Sequence, residues 1–146
     1  MSSRSPYSQG SGDSYKPPTT QALQTIITGN AQESALVTID EANRLATHLV
    51  EAKLKSSQLR LIFSKVRQIE ARWTSDDEQH KQASMREMLL LKPRIMYQAK
   101  RISGMEKLAM LLNSLIDLVK TRQDFQRFVD FLEAVVAYHK VNGGAE

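Results

Sequence analysis

The sequence contains no cysteine and no long apolar run, and both absences narrow the class of protein. Without thiols the chain forms no disulfide and no thiolate metal site, so the cytosol is its expected compartment. No apolar stretch approaches the roughly 18 residues of a membrane-spanning helix, and residues 1–7 lack the apolar centre of a signal peptide. We therefore expect a soluble, cytoplasmic protein.

Groups that carry out catalysis are also scarce. The six glycines form no phosphate-binding loop, and the serines lack a recognisable base and orienting acid. His48, His80 and His139 are too scattered for a local metal site. The imidazole of His139 can serve as a general acid or base, although a lone histidine on an apolar helix is more often a hydrogen-bonded core or interface residue. The sequence predicts a protein that is not an enzyme and needs no metal or cofactor.

Residues 1–19 differ in composition from the rest of the 146-residue chain. They are rich in Ser, Pro and Gly without apolar periodicity, so burial cannot offset the entropy of ordering, and we expect a flexible tail. From Thr20 onward the chain has helix-like periodicity, short connectors and no strand-like alternation. The predicted fold is all-α, a compact bundle of about five to six helices forming a single domain over 20–144.

The predicted helices lie near 20–28, 39–54, 57–73, 76–91, 92–102, 104–121 and 124–141. Three starts carry capping-box patterns, which are Thr38 with Glu41, Ser75 with Glu78, and Ser103 with Glu106. Gly29-Asn30 and Gly143-Gly144 are predicted helix stops. Because Pro93 lacks an amide donor and crowds the carbonyl of Leu89, the fourth and fifth segments are also compatible with one kinked helix.

The last predicted helix has the widest apolar surface. Its apolar side chains follow the helical period, Phe131 and Tyr138 extend them beyond one face, and Asp124 is placed to cap the start. A helix this apolar must be covered on more than one side. The pattern alone does not decide between other helices of the chain and a partner protein.

The net charge of +4 is modest, but the basic residues gather in two blocks. Residues 53–72 hold six basic residues and one glutamate, and 92–107 hold five and one, whereas 75–91 are net acidic. Cations spaced along helices can follow a phosphate backbone, since each contact releases counterions and none requires a particular base. An ordinary solvated face, paired with nearby glutamates, fits the composition equally well.

Three segments, 54–63, 91–101 and 125–144, carry a family resemblance over roughly 35–144. The last is the most specific, with its Phe-Val-Asp-Phe and Ala-Tyr-His-Lys steps. Together they resemble the small helical subunit of type III-A CRISPR effector complexes, the Csm complexes, although the long N-terminal tail departs from the compact family pattern. The resemblance implies a non-catalytic subunit that associates with itself, along a filament or as a dimer, and with the backbone and large subunits.

The resemblance also implies contact with guide RNA and target RNA through phosphates and sugars, because guide pairing reads the sequence. Arg60 has a structural salt bridge as an alternative role. The predicted RNA-binding residues are Lys53, Lys55, Arg60, Lys65, Arg67, Lys92, Arg94, Lys100 and Arg101. The alternative for the whole protein is a helical protein–protein adaptor without nucleic-acid contact, and a small helical hydrolase is a third hypothesis.

Overall fold

The computed structural model describes residues 15–146, which form seven α-helices and no strand. The helices are α1 (Thr20–Thr28), α2 (Ala31–Glu51), α3 (Ser56–Arg72), α4 (Glu78–Leu89), α5 (Leu91–Arg101), α6 (Glu106–Ile116) and α7 (Arg122–Val141). None of them is both long and apolar enough to cross a membrane. The predicted all-α bundle is confirmed, and it has six helices if α4 and α5 are counted as one interrupted helix.

The interruption between α4 and α5 lies where proline predicts it. Helix α4 ends at Leu89, α5 begins at Leu91, and the intervening Leu90 keeps right-handed helical angles of φ −70° and ψ −11°. Pro93 is the third residue of α5, where a backbone N–H would have no partner within its own helix. Proline at this position therefore costs α5 no hydrogen bond.

The predicted start of α2 was wrong. Thr38 lies inside the helix, which begins at Ala31 because the Asn30 side-chain oxygen accepts from the Glu33 amide at 2.9 Å. Gly29 does end α1, but the following asparagine starts the next helix at once. Asparagine is as good an N-cap as serine or threonine, so the helix starts after Asn30, upstream of the predicted cap Thr38.

The other two predicted capping boxes do not form either. Asp77 caps α4 by accepting from the His80 amide at 3.1 Å, while the Ser75 hydroxyl donates to the Asp77 carboxylate at 2.6 Å. Helix α6 begins after Met105 without a side-chain cap, and Ser103 stays outside it. A carboxylate beside the first turn also interacts favourably with the helix dipole, which explains why Asp77 replaces Ser75.

Helix α7 lies in the core and packs against α1, α2, α3 and α6. Phe125, Phe128 and Phe131 are at most 1% exposed, which shows that helices of the same chain cover the apolar residues beyond the first face. Its start was predicted two residues too late, because Thr121 is the N-cap and accepts from the Asp124 amide at 3.1 Å. The wide apolar surface is therefore chiefly core.

The segment after α7 folds back onto the start of α3. Gly143 adopts a left-handed φ of 95°, and the carbonyls of residues 145 and 146 accept from the amides of Ser56 and Ser57 at 2.7 and 3.1 Å. Buried His139 contributes Nε2, 2.7 Å from the Leu54 carbonyl. The first two contacts satisfy amides that an α-helix leaves free, and together the contacts join the C-terminal segment to the start of α3.

Residues 1–14 of the predicted tail lie outside the described residues, whereas residues 15–19 of that segment are described. Tyr15 is 8% exposed, its ring stacks on His48 with centroids 5.0 Å apart, and the Arg44 guanidinium lies 5.4 Å from the ring centroid. Burial raises the pKa of Tyr15 to about 12 and lowers the pKa of His48. The packed chain thus includes Tyr15 and does not begin at Thr20.

Candidate nucleic-acid interface

The basic side chains of α3 are displayed because the opposite face of that helix is buried. Leu59, Ile62, Val66, Ile69 and Trp73 are each at most 4% exposed. Their spacing turns the side chains at 65, 68 and 72 outward along one helical face. The same logic holds for α5, whose inner residues at 91, 95 and 99 leave position 94 exposed.

Two adjoining grooves open between these helices. The apolar groove, of about 270 Å³, lies between α3 and α5 and is lined by Leu61, Ile62, Lys65, Leu91, Pro93, Arg94, Ile95, Tyr97 and Gln98. The polar groove, of about 210 Å³, also reaches α4 and is lined by Lys65, Gln68, Ile69, Arg72, Arg86, Glu87, Leu90, Leu91 and Arg94. Lys65 and Arg94 line both grooves, so the fold brings together one predicted residue from each basic block.

Ion pairing separates the cations of this surface into two groups. Arg72 is paired with Glu87 at 2.7 Å across α3 and α4, and both side chains are at least 40% exposed. Lys65, Arg86 and Arg94 have no carboxylate within 4.0 Å anywhere in residues 15–146. Their charges are therefore available to an anion from solution.

Three other predicted residues make ion pairs. Arg67 pairs with Glu70 on its own helix at 3.0 Å, and Lys92 reaches Asp117, just after α6, at 2.5 Å. Arg60 lies 3.8 Å from the carboxylate of Glu146, so the salt bridge considered as its alternative role is present only as a long, exposed ion pair. Because both partners of this last pair are more than half exposed, it contributes little to stability.

The remaining predicted residues lie at the two ends of the surface. Lys53 and Lys55 occupy the connector between α2 and α3, and both are exposed. Lys100 and Arg101 end α5, where the Arg101 guanidinium lies 5.5 Å from the ring centroid of Tyr97. The nine residues therefore do not form one compact patch, and only Lys65 and Arg94 share a groove.

Sequence reasoning missed Arg86, and it left Arg72 out of the predicted site. Arg72 is seven residues from Lys65, which is a helical spacing that could have identified it. Arg86 belongs to a net acidic segment and reaches the polar groove only because α4 packs against α3. No local feature of the sequence indicates that Arg86 lies at the polar groove.

Each of the three histidine rings contacts other groups of its own chain. His48 stacks on Tyr15, and the ring of His80 has its Nε2 atom 2.7 Å from the Arg72 carbonyl. His139 lies between the Leu54 carbonyl and the Ser56 hydroxyl, which is 3.3 Å from Nδ1. Across residues 15–146, no three His, Asp or Glu side chains cluster in a way that could hold a metal ion.

Comparison with known proteins identifies the family. The family model described as Csm2 Type III-A matches residues 32–145, which is most of the chain. No curated protein and no solved structure matches the chain. The matched range includes α3, α5 and α7, the helices that contain the three resembling segments. The chain therefore belongs to the Csm2 type III-A family, the small subunits of type III-A CRISPR effector complexes.

Proposed function

We propose that this chain is a non-catalytic small subunit of a type III-A CRISPR interference complex that binds the backbone of paired guide RNA and target RNA without sequence specificity. Family membership supports the place in the complex. The structural surroundings of His48, His80 and His139 support a role without catalysis, because each ring is engaged by neighbouring side chains or carbonyls.

The observation that best supports RNA binding is that Lys65 and Arg94 line the same two grooves. Two cations from different helices line the same grooves, and within residues 15–146 neither has a carboxylate within 4.0 Å. An anion in a groove lined by two cations is attracted by both of them. Phosphates of an RNA strand supply evenly spaced anions and no base-specific requirement.

The other basic residues extend this surface in two directions. Arg72 and Arg86 continue it along the polar groove, while Lys100 and Arg101 continue it along α5. Lys53, Lys55 and Arg60 provide a separate set of cations at the start of α3. Exposed ion pairs are weak, so Arg67 and Lys92 can exchange a carboxylate for a phosphate at little cost. They are secondary contacts in this proposal.

Contacts with other subunits, including further copies of this chain, require apolar surface outside the RNA-binding face. Leu36 and Ile39 on α2 are 60% and 48% exposed. Ile39 also lines a groove of about 500 Å³ between α2 and α7. This surface supports association with the backbone and large subunits. It is also the observation that favours the alternative function, a protein–protein adaptor without nucleic-acid contact.

A salt titration of RNA binding tests the proposal. The full-length chain is titrated into a fluorescent guide–target duplex, and the logarithm of the affinity is plotted against that of the salt concentration. We expect a straight line whose slope becomes shallower by about one to two phosphate contacts in the Lys65→Gln/Arg94→Gln double variant. Lys120→Gln, an exposed lysine outside both grooves, is the matched control and should keep the wild-type slope.

The adaptor alternative predicts a different result. It requires that the wild-type chain show no salt-dependent binding of the duplex even at low salt. In that case the double variant would still join the other subunits of the complex, whereas charge substitutions at Leu36 and Ile39 would prevent assembly. Binding by the wild type with an unchanged slope in the double variant would show that RNA contacts another surface.

A further inference from the structure

The apolar groove is lined partly by exposed apolar and aromatic side chains, which contacts with phosphates alone would not bury. We infer that it is a binding site for an unpaired nucleobase, which stacks on Tyr97 while Lys65 and Arg94 contact the adjoining phosphates. This inference rests on the proposed function, since it names the RNA group that the same surface accepts. It also adds a preference for RNA with an unpaired base, which backbone contacts alone would not produce.

The first argument is the apolar surface left open to water between α3 and α5. Leu61 is 50% exposed and Tyr97 is 60% exposed, while the floor residues Ile62, Leu91 and Ile95 are at most 3% exposed. The floor completes the core of the bundle, whereas half or more of the surface of each of the two exposed side chains stays in water. A ligand with a flat apolar face would remove their surface from water, which is favourable.

The second argument is the chemistry of Tyr97. An exposed aromatic ring beside cations is the arrangement with which proteins bind single-stranded nucleic acid, and every base has a π-face that can stack on it. The Arg101 guanidinium, 5.5 Å from the ring centroid, packs against the tyrosine and helps to hold its orientation. Stacking does not read sequence, so it suits a subunit that must accept any target.

The third argument is charge, which selects a nucleotide over an apolar peptide. Lys65 and Arg94 lie where this groove meets the polar groove, and Arg72 and Arg86 line the polar groove beyond them. A strand whose base enters the apolar groove can therefore place its phosphates beside Lys65 and Arg94, while Arg72 in the polar groove is paired with Glu87. Gln98, half-buried in the groove wall, presents an amide that can both donate to and accept from a base edge.

A bulged duplex tests the inference. Two guide–target duplexes are compared with the full-length chain, one fully paired and one with a single bulged 2-aminopurine, a fluorescent base whose emission falls when it stacks. We expect the bulged duplex to bind about 5- to 150-fold more tightly, the equivalent of one stacked base at ~1–3 kcal/mol. Binding should also quench the emission.

The variants separate stacking from charge. Tyr97→Ala should abolish both the preference for the bulge and the quenching, whereas Tyr97→Phe should retain them because the ring remains. Met110→Ala removes an apolar side chain of similar exposure, 57%, from α6 and should change neither. Arg94→Gln should weaken binding of both duplexes by a similar factor, since it removes a phosphate contact and leaves the ring in place.

Three outcomes would overturn the inference. Equal affinity for both duplexes, with a salt slope that Tyr97→Ala leaves unchanged, would show backbone binding without a base site, and the proposed function would stand. The absence of salt-dependent binding to either duplex would overturn both proposals. If Tyr97→Ala weakened assembly with the other subunits while RNA binding and quenching stayed normal, the groove would hold a protein segment.

Discussion

Helix α7 and the surface between α3 and α5 both carry arginines, but the guanidinium groups have different partners in the two regions. Arg127 donates to two carbonyls at the end of α1, at 3.2 and 2.5 Å, and Arg122 donates through Nε to the carbonyl that ends α3, at 2.8 Å. Lys65 and Arg94 have no carboxylate partner within residues 15–146. The first two cations hold helices together, and the other two face open grooves.

This difference shows that basic content alone does not identify an RNA-binding residue. A cation at the end of a helix satisfies carbonyls that have no partner within the helix and interacts favourably with the helix dipole. Such a cation is already occupied by contacts within the protein. A cation that borders a groove without such a partner is the better candidate, and this criterion favours Lys65 and Arg94 over the other residues of the two basic blocks.

The largest expected effect concerns the core role of α7. Phe128 is fully buried, and its ring centroid lies 5.6 Å from that of Phe125. Phe128→Ala should lower the free energy of unfolding by about 3–5 kcal/mol, because it removes apolar contacts and leaves a cavity. Urea denaturation measures the change. Val141→Ala, at a residue 75% exposed on the same helix, is the control. If the two variants were equally stable, α7 would not be the core element.

The next effect compares the two classes of cation directly. Arg127→Met removes the donor to the carbonyls at the end of α1 while keeping an apolar stem, and it should lower the free energy of unfolding by about 1–3 kcal/mol. Arg94→Gln should leave that free energy within about 0.5 kcal/mol of wild type, because the side chain is exposed. Urea denaturation measures both variants.

The second measurement is the RNA affinity of the same two variants, under conditions in which both are folded to the same extent. Arg94→Gln should weaken duplex binding, whereas Arg127→Met should leave it unchanged. The distinction between structural and available cations would fail if Arg127→Met weakened RNA binding while the protein stayed fully folded. It would also fail if Arg94→Gln destabilised the fold as much as Arg127→Met does.

The sequence predicted the helical faces of this fold well because side-chain periodicity is a local property. The buried stripe of α3 and the apolar width of α7 follow from spacing along one helix, and the break near Pro93 follows from the missing amide donor of proline. Helix starts were harder, since several capping residues compete within a few positions. Asn30 and Asp77 took the places expected for Thr38 and Ser75.

The candidate site depends on contacts between helices, which spacing along the chain does not specify. The Arg67–Glu70 pair was readable as neighbouring positions on one helix, but the reach of Lys92 to Asp117 depends on how α5 packs against α6. The placement of Lys65 and Arg94 along the same grooves likewise depends on the arrangement of α3 and α5. The residue types were predictable, and their grouping was not.

The smallest expected effect concerns His48. Its ring stacks on Tyr15, so it is one of the groups that hold the fold together and not one that faces the grooves. Burial is the main cause that lowers the pKa of His48, while Lys107 lowers it further and Glu51 and Glu106 oppose the shift. The neutral ring therefore stabilises the fold fully above the unfolded-state pKa of 6.5, and this contribution is lost as the pH falls through the lower folded-state pKa. Urea midpoints measured from about pH 8 to pH 5 should fall less steeply in His48→Gln than in wild type. Parallel curves would show that protonation of His48 does not oppose the packing of Tyr15.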